Sequence, residues 1–202
     1  MSELLKKMPA RIIDESSLHE GKWIDLVQTT YQDEAGVERH WECVHRKNMT
    51  EASVAVAKMV PSNRYILIRQ FRPPAGHYTL EFPAGLRDTS ETPEQTAIRE
   101  LREETGYIGN ALEVTPSLYL SPGIISERCH FVFLEVDETL PENQHPVPDT
   151  EPNEFIEVFV VNPNEISAFF NEELSRGSVI DAKLYLFFHA WLMNNFSFRK
   201  VL

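Results

Sequence analysis

Residues 85–107, GLRDTSETPEQTAIRELREETGY, contain a helix whose two ends are both marked. Thr92-Pro93-Glu94-Gln95 supplies an N-cap hydroxyl, a proline at the first helical position and a glutamine able to reach back to the cap. Gly106 stands where a helix ends on a residue free to take positive φ. The punctuation predicts a helix over about 93–105. On it Glu100, Glu103 and Glu104 fall at i, i+3 and i+4, so they share one face within a turn. Like charges placed this way repel by roughly 0.2–0.5 kcal/mol for each exposed pair. An arbitrary acidic string of this kind is usually a solvated face. Such a face normally interleaves lysines, however, and here Arg99 and Arg102 only flank the cluster. Several carboxylate oxygens together are the donor set that Mg²⁺ or Mn²⁺ prefers.

Around this helix the chain reads mostly as strand. KWIDLVQTTY (22–31) and ERHWECVHR (38–46) form a hairpin through DEAG, with Gly36 at the turn. Further strands are expected at 52–59, 64–71, 78–82, 112–120, 129–136 and 155–161, several rich in β-branched and aromatic residues. Asn162-Pro163-Asn164-Glu165 repeats the helix-start pattern ahead of ISAFFNEEL, and Gly177 follows it. A last helix, AKLYLFFHAWLMNNF, is apolar around much of its circumference and is expected to be largely buried. Phe187, Phe188 and Trp191 then read as core, with His189 a satisfied core histidine. The hairpin precedes a mixed α/β body, which divides the chain into a small β subdomain at 1–50 and a main domain at 51–202. Residues 137–153, DETLPENQHPVPDTEPN, form a long acidic loop of the kind used as a lid or binding loop.

Composition narrows the partners. The net charge of −12 over 202 residues repels phosphate backbones, which argues against nucleic acid and anionic membranes. No apolar run approaches the roughly 18–20 residues of a membrane span, and MSELLKKMPARIIDES contains no apolar stretch of signal-peptide length. Cys43 and Cys129 are too few and too far apart for a disulfide framework or zinc site, so a reducing cytoplasm is expected. An anionic substrate would need local arginines or a metal cation to approach so acidic a protein.

The helix and its flanks resemble the catalytic box of the Nudix hydrolases. That box runs glycine, five residues, glutamate, seven residues, then Arg-Glu-apolar-x-Glu-Glu-x-Gly-apolar. Gly85, Glu91, Arg99, Glu100, Leu101, Glu103, Glu104 and Gly106 hold the strict positions, and Tyr107 stands at the last, usually aliphatic one. The resemblance implies an α+β fold, the Nudix αβα sandwich with a mixed sheet, here preceded by the small N-terminal β subdomain. It also implies Mg²⁺, or Mn²⁺, held by Glu100, Glu104, Glu103 and the carbonyl of Ala84. Arg99 would orient the carboxylates and Glu91 would brace the loop ahead of the helix.

Sequence outside the box resembles one branch. QFRPPAGHYTLEFPAGL before it, and YLSPGIISE after it with Pro122 fifteen residues past Tyr107, are similar to the ADP-ribose (ADP-sugar) pyrophosphatases. The likeness runs from KWIDLVQTTY to EFIEVFVV and IDAKLY, most of residues 22–190. It implies hydrolysis of ADP-ribose to AMP and ribose 5-phosphate. Trp23 and Trp41 would hold adenine. Arg46 and Arg72 would contact the diphosphate or terminal ribose, with Glu42 and Glu81 as hydrogen-bonding partners. Glu154 would be the general base, with Glu151 and Asp149 as alternatives in the same loop.

Hairpin geometry bears on the two tryptophans. A turn at Glu34–Gly36 with Trp41 near Leu26–Val27 separates them by roughly 10–13 Å. Two rings that far apart cannot sandwich one base, so the second comes from another subunit. That agrees with the shared-site homodimer the resemblance implies. Other nucleoside diphosphate substrates, such as GDP-mannose, UDP-glucose or an oxidised nucleoside diphosphate, suit the same box. A non-catalytic domain that binds ADP-ribose is the reading from another class; the complete set of box glutamates argues against it.

Overall fold

Strand alternation resolves into two sheets in the computed structural model, which describes residues 9–47, 51–150 and 154–195. The chain forms two compact units, Met1–Glu51 with Ser117–Cys129, and Ala52–Pro116 with His130–Leu202. The first unit therefore takes in a segment that the sequence reading assigned to the main domain.

In the first unit β1 (Arg11–Glu20), β2 (Ile24–Gln32) and β3 (Glu38–Arg46) pair antiparallel in that order. β1 was not foreseen, because RIIDESSLHE lacks a clean alternation and is exposed along its whole length. The β2–β3 connection is a five-residue loop, Asp33–Val37, since Gln32 is the last residue to pair, with Glu38. Asp33 pins this loop by accepting the N–H groups of Val37 and Ala35, and it also accepts from Arg39. These bonds, led by that of Val37, hold the Asp33 carboxyl below its usual range. The register that follows corrects the expected one. Trp41 lies opposite Thr29, not Leu26–Val27, six residues along from Trp23. At the rise of a strand the separation is roughly 20 Å. The Ser117–Cys129 segment joins this sheet through Val44, whose N–H donates to Ile124 O while its carbonyl accepts from Ser126.

The second unit contains β4 (Ala52–Val60), β5 (Tyr65–Arg72), β6 (His77–Glu81), β7 (Ala84–Leu86), β8 (Asn110–Val114), β11 (Ile156–Val161) and β12 (Val179–Ile180). The expected strand at 112–120 breaks in two around Pro116, leaving β8 and a short β9 (Leu118–Tyr119). β10 (Arg128–Asp137) starts in the first unit and runs into the second. The sheet runs β12-β6-β5-β4-β10-β8, with β11 along β5 and β7 on β4; β12 is parallel to β6, which makes it mixed. Residues 54–57 and 65–68 are buried without alternation, the signature of strands covered on both faces. On one face Ala55, Ala57, Met59 and Ile66 meet Ala97 and Leu101 of α1 (Pro93–Thr105). On the other, Tyr65 meets Phe187 and Phe188 of α4 (Ala182–Asn195), and Phe82 meets Phe187, in edge-to-face contacts at 5.2–5.5 Å, beside Phe170 of α3 (Ile166–Ser175). The result is an α+β sandwich, helices on both sides of a mixed sheet.

α4 departs from expectation. Among the described residues only Leu184 and Phe188, one i,i+4 stripe, are fully buried, while Tyr185 is exposed and Leu186 is 63% exposed. His189 is an exposed residue stacked on Tyr185 at 5.8 Å, not a core histidine. Trp191 is only partly buried. An apolar circumference says how many sides of a helix could be covered, not how many are. Among the described residues no helix is long and apolar enough to cross a membrane.

Candidate active site

The marked ends place α1 as its caps predict. Thr92 Oγ accepts the Gln95 N–H at 3.3 Å, and Gln95 Oε1 accepts the Thr92 N–H at 2.8 Å. Gly106 closes the helix at φ 77°. A Cβ there would also lie 2.4 Å from the Val147 nitrogen, so this glycine lets Pro146 and Val147, just past a short helix α2 (Pro141–Gln144) within the expected loop, lie against the end of α1. The acidic face turns from interior to solvent along its width. Glu104 is 5% exposed, while the Glu103 side chain is 43% exposed.

Arg99 spends all five of its N–H donors on this face and the loop before it. Nε and Nη2 hold Glu91 at 2.8 and 3.0 Å, and Nη2 also reaches Leu86 O at 3.1 Å. Nη1 donates to Glu100 at 2.7 Å and to Glu103 at 2.9 Å. The Arg99 bonds, helped by Thr96 and the Asp88 N–H, bring the Glu91 carboxyl down to about 2. Glu91, in turn, raises the Arg99 guanidinium further. One cation thus joins the loop to two of the three helix carboxylates.

Glu104 is different. Burial, then repulsion from Glu100, pushes its carboxyl up to about 9, against the one stabilising N–H of Ala84 at 3.1 Å. Burial also raises Glu100, opposed by Arg99 and reinforced by Glu103 and Glu154. Gly85 lies hard against this pair: a Cβ on it would sit 1.9 Å from Glu100 Oε1. Among the described residues, no three acidic, histidine or cysteine side chains are already gathered around one point. What exists is a buried carboxylate, Glu104, and a half-buried one, Glu100, that repel each other against the Ala84–Gly85 backbone. Their cost is that of uncompensated negative charge, and a divalent cation with a taste for oxygen donors removes it. The donors fit such an ion. Gly85→Ala should therefore leave the fold in place but displace Glu100. We expect at least a tenfold weaker Mg²⁺ affinity by titration calorimetry with an unchanged circular dichroism spectrum; unchanged affinity would remove Glu100 from the metal set.

Arg72 and Glu81, expected near the phosphates, bind each other in a fork: Nε and Nη2 donate to the two carboxylate oxygens at 2.8 and 2.7 Å. Glu81 is buried, and its bonds, with further pull from Glu104 and Asp181, raise the Arg72 guanidinium. Glu154 stands exposed just before β11, and its charge contributes to the raised state of both Glu100 and Glu104. Asp149 donates its N–H to Glu103 O at 2.8 Å and lines a cavity of about 410 Å³ with Arg99 and Glu103. Glu151 lies outside the described residues.

Residues 49–182 match the NUDIX domain. The chain belongs to the Nudix family. It is 35% identical to a mouse ADP-sugar pyrophosphatase over 184 residues, covering 87% of this chain and 84% of that one. It is 36% identical to an ADP-ribose pyrophosphatase of Saccharomyces cerevisiae over 190 residues, 89% and 80% of the respective chains. A solved structure described as an ADP compounds hydrolase superimposes with a TM-score of 0.63 at 20% identity, covering 94% of this chain and 97% of that chain, and so shares the fold. As a Nudix hydrolase the protein is an enzyme. Hydrolases of this family generally use a divalent metal, in keeping with the carboxylates just described.

The remaining predicted residues, Trp23, Trp41, Glu42 and Arg46, belong to the first unit. Trp23 is 69% exposed, with Lys22 Nζ 4.6 Å above its ring. Trp41 is 53% exposed and fixed through Nε1, which donates to Gly123 O at 3.0 Å. Arg46 donates to Glu127 at 2.7 Å, while Glu42 is exposed and lies opposite Gln28. Gly123 and Glu127 were missed. Their only signal was membership of YLSPGIISE, whose attachment to the hairpin is a long-range event.

Proposed function

We propose that this Nudix enzyme hydrolyses the diphosphate of ADP-ribose to AMP and ribose 5-phosphate, with Mg²⁺ as its ion and Mn²⁺ able to replace it. The observation that carries the reading is the α1 face, where buried Glu104 and half-buried Glu100 repel each other and Arg99 braces Glu100 and Glu103. The pyrophosphatase relatives, each matched over four fifths or more of its length, support the choice of substrate.

Glu100 and Glu104, with Glu103 and the Ala84 carbonyl, would hold the ion. When bound, the ion offsets charge on the diphosphate and makes a water nucleophilic near neutral pH. Arg99 keeps Glu100 and Glu103 aimed. Glu81 occupies two donors of Arg72 and so fixes the direction of the remaining N–H groups toward phosphate oxygens. Glu154 takes the proton of the attacking water, whose oxygen bonds to phosphorus as the bridging P–O bond breaks. Asp149 is the alternative base.

Trp41 is assigned to stacking on adenine, its ring held by Gly123, with Glu42 and Arg46 beside it on the same strand. Trp23 would serve from a second copy of the chain in a homodimer. The separation of roughly 20 Å along one hairpin supports this, being too long for one protomer to supply both rings. A cytoplasmic setting suits two cysteines that form no disulfide with each other, and the net charge of −12.

A substrate panel of ADP-ribose, GDP-mannose, UDP-glucose and an oxidised nucleoside diphosphate, with product identification, tests the reading. Mg²⁺-dependent release of AMP from ADP-ribose is the expected result, and no turnover above background would sink it. Trp41→Ala should raise KM for ADP-ribose about 5- to 150-fold, the equivalent of ~1–3 kcal/mol for base stacking, with kcat changed far less. Equal KM values would remove Trp41 from the base site.

A further inference from the structure

The first unit contains a thiol and an imidazole, Cys43 and His45, to which hydrolysis gives no role. A cavity of about 460 Å³ is walled by Ile12, Tyr31, Trp41, Tyr119 and Ile124, so most of its surface is apolar. One polar cluster interrupts that wall. Trp41, Cys43 and His45 alternate along β3 and share a face, and Glu15 and Thr29 are direct cross-strand neighbours on β1 and β2. All of these line the same cavity.

Cys43 Sγ lies 3.6 Å from His45 Nε2 and 3.5 Å from Thr29 Oγ1. Glu15 Oε1 lies 3.8 Å from the same His45 nitrogen and accepts from Thr29 Oγ1 at 3.1 Å. Both contacts converge on Nε2, so this is not a relay. It is an imidazole set between a thiol that can give it a proton and a carboxylate that stabilises the imidazolium formed. Arg11 is the other charged side chain on the lining. A cysteine becomes a strong nucleophile when such a base is in reach and the sulfur is accessible. Cys43 is partly exposed, whereas Cys129 is fully buried.

We propose that Cys43 is a covalent-addition site for α,β-unsaturated carbonyl compounds with an apolar or aromatic body. The body occupies the apolar cavity and His45 takes the thiol proton. The sulfur bonds to the β-carbon as the C=C pair shifts to the carbonyl as an enolate. The imidazolium then returns the proton to the α-carbon. No oxidant or reductant is needed. An adduct in this cavity lies against Trp41 and would block nucleotide turnover, a consequence that rests on the adenine assignment above.

The test treats the full-length protein with N-phenylmaleimide at pH 7 and follows intact mass and peptide maps, with rates normalised to glutathione. The expected result is one adduct, on Cys43, with Cys129 unmodified and at least a tenfold slower addition in His45→Asn. Equal rates in wild type and His45→Asn would overturn the proposal, as would modification of Cys129 as fast as Cys43. If His45→Asn unfolds, which reaction at Cys129 would reveal, the wild-type protein decides. It should prefer N-phenylmaleimide over iodoacetate at least tenfold more than glutathione does, and no added preference would overturn the site. Activity separates the two readings. Loss of ADP-ribose turnover in the treated wild type, but not in treated Cys43→Ser, supports both. An adduct formed without loss of turnover supports the Cys43 site and counts against Trp41 as the base platform.

Discussion

Glu104→Gln should lower kcat for ADP-ribose by on the order of 10³-fold, with substrate binding nearly unchanged. The substitution keeps the shape and the acceptor for the Ala84 N–H, and removes only the charge that a cation would meet. The same change should have the opposite effect on stability when metal is withheld. Glu104 titrates near 9 in the folded chain against an ordinary 4.5, because burial and Glu100 disfavour its charged form. A raised folded value means that the folded state holds the proton more tightly than the unfolded one. That stabilisation is fully present below about pH 4.5 and is lost as pH rises toward 9. In EDTA, the Tm of wild type relative to Glu104→Gln should therefore fall across this window. Mg²⁺ should recover the wild type at pH 8 and do little for the variant. Parallel Tm curves in EDTA, or an undiminished kcat, would take Glu104 out of the metal set.

Glu154→Gln should cost about 10²- to 10⁴-fold in kcat, the range for loss of a general base, with KM within a few-fold. The chain places Glu154 where its charge is felt by both Glu100 and Glu104, and it sits at the end of a long loop directly before β11. Asp149→Asn is the control: its backbone N–H donates to the Glu103 carbonyl of α1 and is kept in the variant, so we expect less than a tenfold effect. A larger loss in Asp149→Asn than in Glu154→Gln would exchange their roles.

How far the sequence reached depended on the range of the interaction concerned. The bounds of α1, its capping box and the left-handed Gly106 were all legible, because a cap is closed by residues three or four positions apart. The Glu100, Glu103 and Glu104 face followed from helical period alone. Arg99 was legible as a flank of that face; its use of every donor was not, because Glu91 and Leu86 come to it from a folded loop. The hairpin was found, but its register slipped because a single loop residue moves every cross-strand neighbour. β1 and β12 escaped notice, since a polar edge strand and a two-residue strand leave too little pattern.

The exposure of α4 was misjudged for a related reason. Composition records what a helix could bury, while neighbours decide what it does bury, and they cover only the Leu184–Phe188 stripe. Arg46 with Glu127 and Trp41 with Gly123 are pairings across 81 and 82 residues that no local rule connects. Thus the sequence alone determined the family and the α+β class, through the resemblance carried by the box positions, and the shared face of Glu100, Glu103 and Glu104, which rests on helical period and end signals. Tertiary structure alone decided how deeply Glu104 is buried, what Arg46 and Trp41 are tied to, and that Cys43, His45, Thr29 and Glu15 share one cavity. These depend on which distant strands pack together, and burial and electrostatic coupling come into being only when they do.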